Sequence, residues 1–266
     1  MDGLSLINDE GYLIVHVDFL SEEIKESIRK NLTYICHGYD QADSGRIMFN
    51  YKNTLKNFLE RYTKKSKSTQ IGMIGELLSH VLILELMESF EVVSSFFNLE
   101  EKSIKKGFDI LLFEREREDV WIVEVKSGEL HAGKNSTETA KTLVGIACND
   151  LNKRLNENEM NHWTNAVHAA RAAIAADADY KKAVVNILMD EGDNVAAAAS
   201  TSKDNNVFLV SALFSSCDEK VDPSMIGGMY SSILDKDYFR NVFLLSVKKS
   251  TYEAVAAFLD EESQDD

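Results

Sequence analysis

In the stretch GFDILLFEREREDVWIVEVK, residues 107–126, two carboxylates and an ammonium lie outside its charged middle: Asp109, Glu124 and Lys126. The stretch reads as two apolar strands joined by the charged turn Glu114–Asp119, short enough for a hairpin. Side chains alternate along a strand. Glu124 and Lys126 therefore share one face, and Trp121, Val123 and Val125 the other. The hairpin brings Asp109 beside the pair. Two residues along a strand span roughly 7 Å, room for a metal ion and a phosphate between carboxylate and ammonium. The chemistry this points to is hydrolysis of a phosphodiester. An E-x-K triplet alone means little, because it often marks a surface ion pair. Here it ends an apolar strand, 15 positions after an aspartate on another.

The neighbouring elements must hold this hairpin. Residues 70–89, QIGMIGELLSHVLILELMES, predict a helix apolar on most of its circumference and therefore largely buried. Glu76 stands out on it, since a buried carboxylate needs a cation, a metal or a proton. His80 lies one turn on, within reach of Glu76, although an isolated histidine on such a helix is more often part of the core. Residues 90–99 predict a strand. Asn135 with Glu138 predicts a capping box opening a helix to about Asn156, striped by Ala140, Val144, Ala147, Leu151 and Leu155. Lys134 and Lys141 on its first turns could reach a phosphate.

Upstream, residues 4–18 predict a hairpin, Ser21 caps a helix, 37–45 is a loop, and about Lys52 to Lys65 is a helix. Residues 1–66 form an N-terminal lobe in this reading, and 67–266 the main domain. Residues 160–200 are Ala-rich and predict a two-helix insertion breaking near Asp177 or Gly192. Strands follow at 206–214 and 240–249, with 218–230 as loop between them and a last helix after a Ser250 cap. The class is α/β with a central mixed sheet.

Composition narrows the function. The chain has 266 residues, 44% hydrophobic and 27% charged, with a single proline. The longest apolar stretch, 71–87, is interrupted by Glu76, Ser79, His80 and Glu85, against a membrane span. The first residues lack a signal-peptide pattern, and Cys36, Cys148 and Cys217 have no CxxC spacing. Together these lead to the expectation of a cytoplasmic protein with reduced thiols. The net charge of −15 opposes nucleic-acid binding by the molecule as a whole. Local exceptions are Lys52, Lys56, Arg61, Lys64, Lys65 and Lys67, set against Glu60 alone, and Lys102, Lys105 and Lys106 just before Asp109. Such runs are usually solvated helix faces.

Helix with Glu76, strand, strand with Asp109, strand with Glu124-Val125-Lys126, helix: this order resembles the PD-(D/E)XK nuclease superfamily over residues 70–157, with 206–214 as the closing strand. Phe108 stands where the superfamily's name-giving proline would be. The resemblance implies a restriction-endonuclease-like core. Asp109, Glu124 and the Val125 carbonyl would hold the metal, and Glu76 a second metal or an outer-shell water. Lys126 would orient the attacking water and offset the charge on phosphorus. The physics is consistent, since one uncompensated carboxylate pair at ~4 Å repels by up to about 4 kcal/mol at an effective dielectric of 20. Oxygen donors without a Cys or His cluster select Mg²⁺ or Mn²⁺.

A competing motif overlaps the site. Gly128 to Lys134 matches G-x4-G-K between a strand and a helix, the setting of a P-loop. Asn135 follows where Ser or Thr should bind Mg²⁺, and the preceding strand carries charges, so ATP chemistry is assigned to another chain. Residues 37–62, with Gly75-Glu76, Gly107-x-Asp109 and Glu124-x-Lys126, further resemble the nuclease subunit of Hachiman antiphage systems. That likeness implies a DNA nuclease in bacterial defence with a helicase partner. The rival expectation is a catalytically silent regulatory subunit on the same fold, or a nuclease of another restriction or repair system.

Overall fold

The chain opens on β1 (Leu4–Asp9) and β2 (Tyr12–Val17), paired antiparallel. Gly11 in their turn takes φ +85°, and a Cβ there would strike the Tyr230 ring at 2.1 Å. Three capped helices follow the hairpin. These are α1 (Glu22–His37), α3 (Tyr51–Thr63) and α4 (Lys67–Leu86), whose first-turn N–H groups are accepted by Ser21, Asn50 and Ser66. The short helix α2 (Tyr39–Ala42) lies inside the segment expected as loop. The computed structural model describes residues 1–96, 107–157 and 159–264.

Next come β3 (Phe90–Val92), β4 (Ile110–Glu114) and β5 (Asp119–Glu129), then α5 (Ser136–Leu155), opened by the Asn135–Glu138 capping box. The strand expected over 90–99 is three residues long, and its positions from 97 on lie outside the described residues. Two helices, α6 (Met160–Ala173) and α7 (Lys181–Ala196), fill the Ala-rich segment and break on either side of Asp177. The chain closes with β6 (Asn206–Phe214), α8 (Pro223–Leu234), β7 (Asn241–Lys249) and α9 (Glu253–Gln264).

Two expectations are corrected. Residues 218–230 are not all loop, because Asp222 accepts the Ser224 N–H at 2.9 Å and Pro223 occupies the first turn of α8. Proline at a helix start is pre-organised for it. At α9 it is Thr251, not Ser250, whose hydroxyl accepts the Glu253 N–H, at 3.1 Å.

The seven strands of the described residues form one mixed sheet in the order β1-β2-β7-β6-β5-β4-β3. The middle pairs β2·β7, β7·β6 and β6·β5 are parallel, and the marginal pairs antiparallel. Residues 1–66 thus supply two strands to the same sheet. One face packs against α1, α3, α4 and α9, the other against α5, α6, α7 and α8. Both faces are covered, which is why NVFLVSALF of β6 is buried at every position. Among the described residues α4 alone is long and apolar enough to cross a membrane. It serves as the core helix on the first face, with Ile71, Ile74, Leu77 and Leu78 against Val123 and Phe208.

Candidate functional site

The β4–β5 hairpin places the two carboxylates. Ile110 pairs with Val123, so Asp109, one step earlier, comes abreast of Glu124. Asp109 Oδ2 accepts the Val125 N–H at 2.8 Å, which fixes that carboxylate against the β5 backbone. Alternation holds as expected: Trp121 and Val123 face α4, while Ile122 lies in the α5-side core with Glu124 and Lys126 in phase. The 7 Å gap between Glu124 and Lys126 is closed, because the lysine side chain folds back until Nζ is 2.9 Å from Glu124 Oε1.

Two residues not singled out from the sequence complete the cluster, both on α5. Arg154 Nη1 donates to Glu124 Oε2 at 2.8 Å, and Nη2 to Oε1 at 3.2 Å. Asp150 Oδ2 lies 2.9 Å from Lys126 Nζ. They sit one helical turn apart, beside the Ala147–Leu151–Leu155 stripe. That i, i+4 spacing of opposite charges flanking an apolar stripe was the available signal.

Burial dominates the electrostatics. Glu124 is 1% exposed, and burial followed by the neighbouring Asp109 carboxylate pushes its pKa up, against the pull of Arg154 and Lys126. Burial alone would lower the Lys126 pKa. Glu124 and Asp150 outweigh it, and the ammonium is held above its usual range. Lys126 is a quarter exposed and Asp150 half exposed, so the cluster opens to water on their side.

The other sequence-derived residues lie apart or outside. Glu76 is on α4, the helix covering the opposite face; burial pushes the Cys36 thiol pKa up, with Arg61 opposing the rise and Glu76 adding to it. His80 is buried, with its ring edge-on to Phe96. Lys141 precedes Arg154 by 13 residues of helix, roughly 20 Å along its axis. Lys134 is exposed and donates to Thr142 Oγ1 at 2.7 Å, while Asn135 is spent as a helix cap. The P-loop-like segment is thus a helix start. Lys105 and Lys106, like Lys102, lie outside the described residues.

As a metal site the cluster offers oxygen donors only. Among the described residues no three carboxylate, imidazole or thiol groups gather at ligand spacing. Asp109 and Glu124, with the Val125 carbonyl next after Glu124 in sequence, are the pair available. One or two carboxylates suffice for Mg²⁺, which keeps several waters. The repulsion that Asp109 exerts on Glu124 is what such a cation would relieve, so the donor set fits. A cation binding there competes with Arg154 and Lys126 for the Glu124 oxygens.

Comparison with known families gives one match, to a model described as HamA, covering residues 5–259. No curated protein matches the chain.

Proposed function

The chain belongs to the HamA family, a family of Hachiman antiphage defence, and on that premise we propose that it is a metal-dependent nuclease acting on DNA phosphodiester bonds. One observation carries the reading. Asp109, one residue ahead of β4, stands abreast of Glu124 on β5, with a lysine two residues beyond the second carboxylate touching it. This arrangement resembles the acid–acid–lysine set of the PD-(D/E)XK nucleases, and the mixed sheet with helices on both faces is compatible with that core.

Asp109, Glu124 and the Val125 carbonyl would hold a Mg²⁺ or Mn²⁺ ion, whose chemistry is to acidify water and polarise a phosphoryl oxygen. Lys126 orients the attacking water and offsets negative charge developing on the phosphoryl oxygens. Arg154 positions Glu124 from α5, and Asp150 positions Lys126. Glu76 is left out of this set, being on the helix of the other face. ATP-driven steps fall to a helicase partner, in keeping with the Lys134 ammonium resting on Thr142.

The test is nicking of supercoiled plasmid by the purified chain in Mg²⁺ and Mn²⁺, with and without a helicase partner, beside Glu124→Ala and Lys126→Ala. Cleavage by wild type and its loss, by at least about 100-fold, in both variants is expected. Retained turnover in either variant would rule out this site. Thermal stabilisation by Mn²⁺ of wild type but not of Glu124→Ala is the companion readout.

A further inference from the structure

The second site is on the opposite side of the sheet from the α5 cluster. Helix α3 exposes Lys52 and Lys56, and the turn after it exposes Lys64 and Lys65. Among the described residues these four lysines form no ion pair. Elsewhere Lys25, Lys67, Lys153, Lys181, Lys203 and Lys220 each hold a carboxylate, and lysines without one, such as Lys30, Lys182 and Lys236, stand singly on or next to other elements, so the α3 four are distinguished by their clustering. A lysine surrounded by excess acid and still unpaired presents its full charge to an outside anion.

The start of the same helix adds apolar surface. The turn before α3 presents Ile47 and Met48, 76% and 64% exposed. Asn53 pins that turn by donating to the Ile47 carbonyl at 2.8 Å. Between turn and helix runs a groove of about 410 Å³ lined by Ile47, Met48, Asn53, Lys56, Asn57 and Glu60. Glu60 is the acid lining the groove, and α9, joined to α3 by the Tyr51–Glu262 hydrogen bond, brings further acids beside the helix. Amides, a lysine and two apolar side chains in one groove match what a nucleotide offers: a base edge, a phosphate and an apolar base face.

We infer that the α3 surface, from the Ile47–Met48 turn through Lys52, Lys56, Lys64 and Lys65, binds the phosphate backbone of double-stranded DNA, with the apolar turn against a groove. Lys52 and Lys56 are one turn apart, about 6 Å along the axis, close to twice the 3.4 Å rise per phosphate of a strand. The strip ends toward the proposed catalytic strand. Lys67, two residues past Lys65, reaches Glu129 at 2.7 Å, and Glu129 is three residues, about 10 Å, beyond Lys126 on β5. The inference deepens the nuclease reading by giving its substrate a track on a molecule whose net charge would otherwise repel it.

The experiment is fluorescence anisotropy of a labelled DNA duplex with the full chain in EDTA, where binding is read without cleavage. Exchange of Lys52, Lys56, Lys64 and Lys65 to Glu, and separately to Gln, is expected to weaken binding at low salt by at least about tenfold. The slope of log affinity on log salt should fall by about 3 to 4, near 0.9 per phosphate contact. Ile47→Ser with Met48→Ser weakens binding without changing that slope, and Lys182→Gln, an exposed lysine on α7 across the sheet, binds as wild type does. Wild type that fails to bind DNA, or lysine variants that bind equally well, overturns the inference; the second outcome leaves the strip to an acidic protein surface. Lysine-dependent binding by a chain that never cleaves keeps the strip and overturns the nuclease reading instead.

Discussion

Glu124 has almost no water and two cations. A carboxylate so buried is stable as an anion only while its partners stay, and Arg154 supplies two of its three side-chain hydrogen bonds. Arg154→Ala is expected to destabilise the fold by about 2–4 kcal/mol, because it leaves a buried charge half compensated. The same variant frees Glu124 oxygens, so Mn²⁺ should raise its melting temperature more than that of wild type. Urea midpoints and melting with and without Mn²⁺ measure both. An unchanged midpoint would mean that Glu124 is protonated in the fold and needs no clamp. Arg154→Lys should fall between, since lysine cannot make the bidentate contact.

At the scale of elements, the crossing of α4 over β5 sets the spacing of the catalytic strand from its covering helix. Gly75 makes that crossing: a Cβ there would lie 2.0 Å from Ser127 Oγ and 2.7 Å from Ser127 Cβ. The Ser79 hydroxyl donates back to the Gly75 carbonyl at 2.7 Å, inside the same contact. Gly75→Ala therefore overpacks the interface and is expected to cost about 1–3 kcal/mol, despite alanine's better helix propensity. Shaving the opposing residue with Ser127→Gly should restore part of the loss in the double variant. A Gly75→Ala protein melting at or above the wild-type temperature would show that α4 shifts freely over β5.

Over the whole molecule, 44 acidic residues against 29 basic ones make self-repulsion the long-range term. Screening at physiological ionic strength shortens its reach to about 8 Å. The melting temperature should therefore rise from low to physiological salt while affinity for DNA falls over the same range. Calorimetry and anisotropy across one salt series test the opposed signs. A melting temperature that falls with salt would mean that local ion pairs, not net charge, control stability, and an affinity that does not fall would mean that the lysine strip is not the binding determinant.

Sequence alone determined what depends on neighbours along the chain. Alternation put Glu124 and Lys126 on one strand face, the Asn135–Glu138 box started α5, and the apolar circumference of residues 70–89 marked a buried helix. The continuous apolar run NVFLVSALF marked a strand, and the structure buries it at every position. Pairing and facing were decided only in three dimensions. Nothing local says that β2 pairs with β7, placing the N-terminal hairpin in the same sheet. Nothing local says that α4 and α5 take opposite faces, which parts Glu76 from Glu124 and gives Glu124 to Arg154, 30 residues away. Periodicity states which side of an element is buried; which element covers it is a long-range choice made by the packing of the whole core.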